Sequence, residues 1–101
     1  MRYNVIKDAN RIINKSPYLI NNPEDYKNKW SILFENNKPI HLELGMGRGD
    51  FIINMAKTYP NINFIGLELN ESQMVKATDR LRGQNLPNLK LTYLRTVFQN
   101  K

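Results

Sequence analysis

Cysteine is absent from the 101 residues, and histidine and tryptophan occur once each, as His41 and Trp30. Disulfides and thiolate-held metals are thereby excluded, and one histidine with scattered acids supplies no metal coordination set. Acidic residues are few: 9 Asp and Glu stand against 15 Lys and Arg, for a net charge of +6. That excess suggests a polyanionic partner such as nucleic acid. It forms no block, because residues 1–40 carry seven basic and four acidic residues and the remainder eight and five. No apolar run approaches the ~18 residues of a membrane span. The N-terminus lacks the apolar core of a secretory signal. A cytoplasmic protein is the expectation. Glycine is sparse too, five in all, yet three of the five fall between positions 45 and 49.

Those three glycines sit in Glu43-Leu44-Gly45-Met46-Gly47-Arg48-Gly49-Asp50. A short apolar strand candidate, Pro39 to Leu44, precedes the run, and an apolar-periodic helix follows from about Asp50. Strand, glycine-rich turn and helix start together make a nucleotide-type cofactor loop, in which glycine permits tight turning and close approach. The spacing G-x-G-x-G departs from the dinucleotide fingerprint G-x-G-x-x-G, whose third glycine would fall at Asp50. A pyrophosphate favours bare N–H groups and a helix N-terminus, whereas Glu43 and Asp50 flank this loop, with Arg48 offsetting one of them. S-adenosyl-L-methionine, which has no phosphate and carries a sulfonium and an ammonium, suits such a loop better. Glu68 ends a second strand candidate, Asn63 to Leu67, and an acid there can accept ribose hydroxyls. That geometry would serve NAD equally. Glu68 therefore points to a nucleoside, and the loop chooses among nucleosides.

Around this centre the chain reads as a helical arm followed by βαβαβ. Val5, Ile6, Ala9, Ile12 and Ile13 make one apolar stripe, with Lys7, Arg11 and Lys15 on another face. Ser16-Pro17 ends that helix. A second helix is expected from Asn22-Pro23, with Asn22 as cap and Tyr26, Trp30, Leu33 and Phe34 inward. After the loop, Phe51, Ile52, Met55, Ala56 and Tyr59 define a helix that stops at Pro60-Asn61. Asn70 caps the next, with Gln73 as its capping-box partner, Met74, Ala77 and Leu81 inward, and Gly83 at its end. Pro87-Asn88 turns into a third strand, Leu89 to Leu94. Strands alternating with helices of about a dozen residues imply a parallel sheet. His41, Tyr26, Trp30, Phe51 and Met55 are expected in the core.

Taken together, Asn22-Pro23, Tyr26-Lys27-x-Lys29-Trp30, Phe34, Pro39-Ile40-His41-x-Glu43-x-Gly45-x-Gly47-x-Gly49 and Phe64-Ile65-Gly66-Leu67-Glu68 resemble bacterial tRNA (guanine-N7)-methyltransferases. Met1-Arg2 and Asn85-Leu86-Pro87-Asn88-Leu89-Lys90-Leu91 fit as well, and the likeness extends to about Leu94. The glycine loop alone would suit any class I methyltransferase; the Pro-Glu-Asp-Tyr-Lys-x-Lys-Trp segment narrows it. The resemblance implies the first half (βαβαβ) of a Rossmann-like, S-adenosylmethionine-dependent methyltransferase fold. It further implies transfer of a methyl group to N7 of a guanine in the tRNA variable loop. By the same likeness Glu43 and Glu68 contact the cofactor, Gly45, Gly47 and Gly49 form its loop, and Arg2, Lys7 and Arg11 touch tRNA. A solvated helix face is the plain alternative for those three.

The organisation expected is a helical arm at 1–38, half of a cofactor domain at 39–94 and a divergent tail at 95–101. The tail, Arg95 to Lys101, carries no acid where relatives place one after the third strand, and the relatives' Asn-Phe-Ser-Asp-Pro-Trp-Pro-Lys segment is not present. The expectation is a fragment left by a frameshift, a split gene or a remnant, inactive or very weak alone. Its first strand would be an apolar edge that invites self-association or pairing with the missing C-terminal half. A nicotinamide-dependent oxidoreductase fails the loop test. A non-catalytic RNA-binding or interaction remnant stays as the alternative.

Overall fold

A computed structural model describes residues 2–94, with side chains from Asp8 onward. The expected tail 95–101 and the side chains of Arg2 and Lys7 lie outside the described residues. Three parallel strands, β1 (Ile40–Leu44), β2 (Asn63–Glu68) and β3 (Leu89–Tyr93), form a sheet in the order β1-β2-β3. Helices α1 (Arg2–Asn14), α2 (Trp30–Phe34), α3 (Asp50–Thr58) and α4 (Glu71–Leu81) accompany the sheet among the described residues. The βαβαβ order is the one the alternating pattern implies.

β2 is nearly continuous in apolar residues because it is covered on both faces, as a parallel strand with neighbours on either side must be. One face carries the main core, in which Ile52, Ile53, Met74, Ala77 and Leu81 from α3 and α4 meet Phe64, Leu89 and Leu91 from the sheet. Ala9 and Ile13 of α1 are fully buried in that same core, so the arm is packed onto α4 rather than standing apart. A smaller cluster of Ile20, Phe34 and Ile65, with Tyr26, Trp30 and Ile40 against it, covers part of the other face.

Several expectations fail. The helix foreseen from Asn22 is broken into a 3-10 turn at Pro23–Tyr26 and the short α2, and Asn22 makes no side-chain cap bond. Between them Asn28 takes a left-handed φ of 61°, and Lys29 N–H donates to the Tyr26 carbonyl at 2.7 Å, which closes a turn. Asparagine adopts that conformation more readily than most residues. Tyr26 and Trp30 still stack, with ring centroids 6.4 Å apart. On α3 the buried residues are Ile52, Ile53 and Ala56, whereas Phe51 and Tyr59 are exposed. The stripe is rotated by one position, because Ile53 packs towards Gly49 and α4. His41 is exposed on the edge strand and touches Phe64 edge-on at 5.5 Å.

The two edges of the sheet are treated differently. Beside β3, Ile20 N–H donates to the Leu91 carbonyl and Leu91 N–H donates to the Tyr18 carbonyl, both at 2.8 Å, so residues 18–20 cover that edge. Tyr18 locks the cover, its hydroxyl donating to the Gln84 carbonyl and accepting from Leu86 N–H. β1 ends the sheet on the other side, with Leu42 and Leu44 exposed at 64% and 76%.

Candidate functional site: the glycine loop at the end of β1

The carboxyl ends of β1 and β2 are adjacent in register, Glu43 opposite Gly66 and Leu44 opposite Leu67. The chain leaves β1 into Gly45–Gly49 and enters α3 at Asp50. Gly45, Gly47 and Gly49 all have positive φ, at 68°, 61° and 88°. A side chain would be strained at each, which is the physical reason for three glycines here. Nothing lies within 4 Å of where a Cβ on Gly45 would sit, and only the Gln73 amide, at 3.9 Å, approaches the same point on Gly47. The loop therefore presents an open backbone surface.

Its N–H groups are largely engaged. Gly45 and Met46 donate to the Leu67 carbonyl at 2.8 and 3.1 Å, and Gly49 donates to the Met46 carbonyl at 3.1 Å. Gly47 donates to Glu68 Oε1 at 2.7 Å. Glu68 is a buried carboxylate whose Oε2 accepts from Leu69 and Asn70 N–H at 3.1 and 2.8 Å. It thus ties the loop to the end of β2.

Glu43, at the mouth of the loop, is the opposite case. Its Oε1 is shielded from water and has no hydrogen-bond partner among the described residues, and desolvation raises its pKa above the usual carboxylate value. A shielded, unpaired acceptor is unfavourable until a donor or cation arrives. Such a site takes an ammonium or sulfonium well. A pyrophosphate would need N–H donors that Gly45, Met46, Gly47 and Gly49 have already committed.

Asp50 does not act as the second bare anion that its position suggests. Arg48 Nε lies 3.0 Å from its Oδ2, and Arg80 of α4 pairs with its Oδ1. The features here that would disfavour a phosphate are the occupied donors and Glu43, not Asp50. Arg11 is exposed on α1, 3.7 Å from Asp8. Among the described residues no three metal-ligating side chains come together.

Sequence reasoning missed Gly66 and Met46 as parts of the site. A Cβ on Gly66 would lie 2.5 Å from Met46 Sδ and 3.1 Å from Ile52 Cδ1. Gly66 thus makes the notch into which buried Met46 anchors the loop. A glycine inside an otherwise apolar strand was the available signal, because it marks a close approach of other chain.

Removing the charge at Glu43 gives a two-sided expectation. A carboxyl whose folded pKa is raised penalises the folded state above that pKa, and the penalty disappears as pH falls through it. Glu43→Gln should therefore raise the melting temperature at pH 8 and narrow the stability difference between pH 8 and pH 4.5. Thermal melts of the two proteins at both pH values check this.

The sheet, with a glycine loop after its first strand and an acid closing its second, places the protein in the Rossmann-like α/β class. A family model described as "Putative methyltransferase" matches residues 37–100, and the chain belongs to that methyltransferase family. Curated relatives agree. The tRNA (guanine-N(7)-)-methyltransferase of Geobacillus sp. (strain WCH70) is 54% identical over 74 residues, covering 73% of this chain and 34% of the relative. That of Streptococcus gordonii is 42% identical over 95 residues, covering 93% and 45%. That of Bacillus cytotoxicus is 49% identical over 81 residues, covering 80% and 37%. The chain thus spans between a third and a half of the length of these relatives. Among the described residues no helix is long and apolar enough to cross a membrane.

Proposed function

We propose that this chain is the cofactor-holding part of a tRNA (guanine-N7)-methyltransferase. The observation that carries the reading is the pair of carboxylates around the loop. Glu68 closes the loop through Gly47, and one oxygen of half-buried Glu43, Oε1, is left shielded and without a partner beside it. The cofactor is S-adenosyl-L-methionine, which supplies a methyl group made electrophilic by its sulfonium. Glu43 holds the ammonium end, the backbone of Gly45, Gly47 and Gly49 lies against the nucleoside, and Glu68 accepts from the ribose.

Guanine N7 offers its own lone pair, so no side chain must withdraw a proton before transfer. The work of the protein is alignment: acceptor, methyl and sulfur must be held in line at contact distance. Glu43 and Glu68 fix the cofactor end of that line. Since the relatives are two to three times as long as the matched region, the reading assigns the guanine pocket to sequence beyond these residues, which pairs with this half. Arg2, Lys7 and Arg11 on α1 are assigned to the tRNA backbone, in keeping with the net charge of +6. The cytoplasm, where tRNA resides, is the compartment of this function.

The test is methyl transfer to tRNA by the chain combined with the remaining portion of the Geobacillus relative, read by mass spectrometry of digested nucleosides. N7-methylguanosine that forms only with both parts is the expected result. Salt-dependent tRNA binding with no affinity for S-adenosylhomocysteine would instead support the non-catalytic RNA-binding reading.

A further inference from the structure

Gln73 sits three residues after the cap of α4, where a capping-box side chain would reach back to the Asn70 N–H. It does not do so here. Asn70 Oδ1 accepts from Gln73 N–H at 3.0 Å, but the Asn70 N–H donates to Glu68 Oε2. The buried carboxylate has taken the donor, and the Gln73 side chain is released from the cap. It lies instead over the loop, with Nε2 3.9 Å from where a Cβ on Gly47 would be. Its Oε1 is shielded from water and has no partner among the described residues.

The acceptor count around Glu68 gives this orphaned oxygen a purpose. An ionised carboxylate offers about four lone-pair positions. Three are occupied: both on Oε2, by Leu69 and Asn70, and one on Oε1, by Gly47. One remains, and a ribose diol brings two hydroxyl donors. We propose that Gln73 contacts the cofactor, its side-chain oxygen accepting from one ribose hydroxyl while Glu68 Oε1 accepts from the other. The two ends of the amide exchange by rotation about its last bond, so the oxygen can be turned to the loop without moving α4. The inference rests on the proposed adenosyl cofactor and adds a residue that decides which nucleosides are accepted.

Calorimetry with S-adenosylhomocysteine and its 2′-deoxy and 3′-deoxy analogues tests it. The unsubstituted chain should lose about tenfold in affinity for either deoxy analogue, the worth of one hydrogen bond. Gln73→Leu should bind S-adenosylhomocysteine about tenfold more weakly and should no longer distinguish it from one of the two analogues. Gln73→Glu, which keeps an acceptor, should restore that discrimination. The cap bond uses the backbone N–H of residue 73, so circular-dichroism melts of the variants should match the parent. Unchanged affinity in Gln73→Leu, or weaker affinity with both discriminations intact, would overturn the role of Gln73 alone. Absence of S-adenosylhomocysteine binding by the unsubstituted chain would overturn the cofactor reading and this inference with it.

Discussion

Replacing Glu68 by alanine is expected to weaken S-adenosylhomocysteine binding by about a hundredfold or more, and to destabilise the fold by about 2–3 kcal/mol. Both effects come from the same carboxylate. It is 8% exposed and accepts from three backbone N–H groups, of Gly47, Leu69 and Asn70. Hydrogen bonds to a charged acceptor contribute roughly 1.5–3 kcal/mol each, more than neutral ones. Water will reach Gly47 in the variant, because that residue is only half-buried, so the loss is less than three full bonds. Loop and ligand then fail together, since Glu68 is what holds Gly47 in place. Glu68→Gln retains one oxygen and should fall between parent and alanine variant. Calorimetry and urea melts of the three proteins measure the two effects separately. A Glu68→Ala protein with parental affinity would show that the loop does not need its latch.

Asn88→Ala should be the most damaging single truncation outside the site. The buried Asn88 Nδ2 donates towards the carbonyls of Ala56, Tyr59 and Ile62, at 3.0, 3.1 and 2.9 Å. These are carbonyls at and just beyond the C-terminal end of α3, which lack partners within the helix. The Asn88 carbonyl also accepts from Phe64 N–H at 2.7 Å, so the residue fixes the start of β3 beside β2. Alanine keeps that backbone bond and removes the side-chain bonds. The Tyr59 carbonyl still accepts from Ile62 N–H at 3.1 Å, but the buried Ala56 carbonyl, whose next-turn partner would be Pro60, loses its donor. A loss of about 2–4 kcal/mol follows, which in a domain of this size lowers the melting temperature by roughly 10–25 °C. A shift below a few degrees would show that water replaces the amide at that helix end.

The parts of the fold that were legible are those where one local rule dominates. Three glycines at alternate positions marked a tight turn open to close approach, and the backbone turns there with positive φ at all three. The apolar run from Phe64 to Leu67 announced a strand covered on both faces, and Asn70 announced its cap. The illegible parts are those decided between distant residues. Nothing local to Ser16-Pro17 says that residues 18–20 will lie along β3, because that depends on Tyr18 reaching Gln84 and Leu86. The rotation of α3 that exposes Phe51 depends on Ile53 meeting Gly49 and Ala77. Asn28 broke the second helix because a left-handed residue outweighed an apolar stripe. Glu43, the glycines and Glu68 lie together at the ends of β1 and β2, but how they share hydrogen bonds was not legible. That Arg80 neutralises Asp50, and that Glu68 captures the donor Gln73 would have used, are properties of packed elements.

Competition between S-adenosylhomocysteine and NAD for the loop is the most direct measurement of the account. The structure commits the N–H groups a pyrophosphate would need and leaves Glu43 unpaired, so the chain should bind S-adenosylhomocysteine at one-to-one stoichiometry in calorimetry. Millimolar NAD should not displace it, and Glu43→Gln should bind it more weakly. Equal or tighter binding of NAD, or an affinity indifferent to the charge at residue 43, would contradict the account.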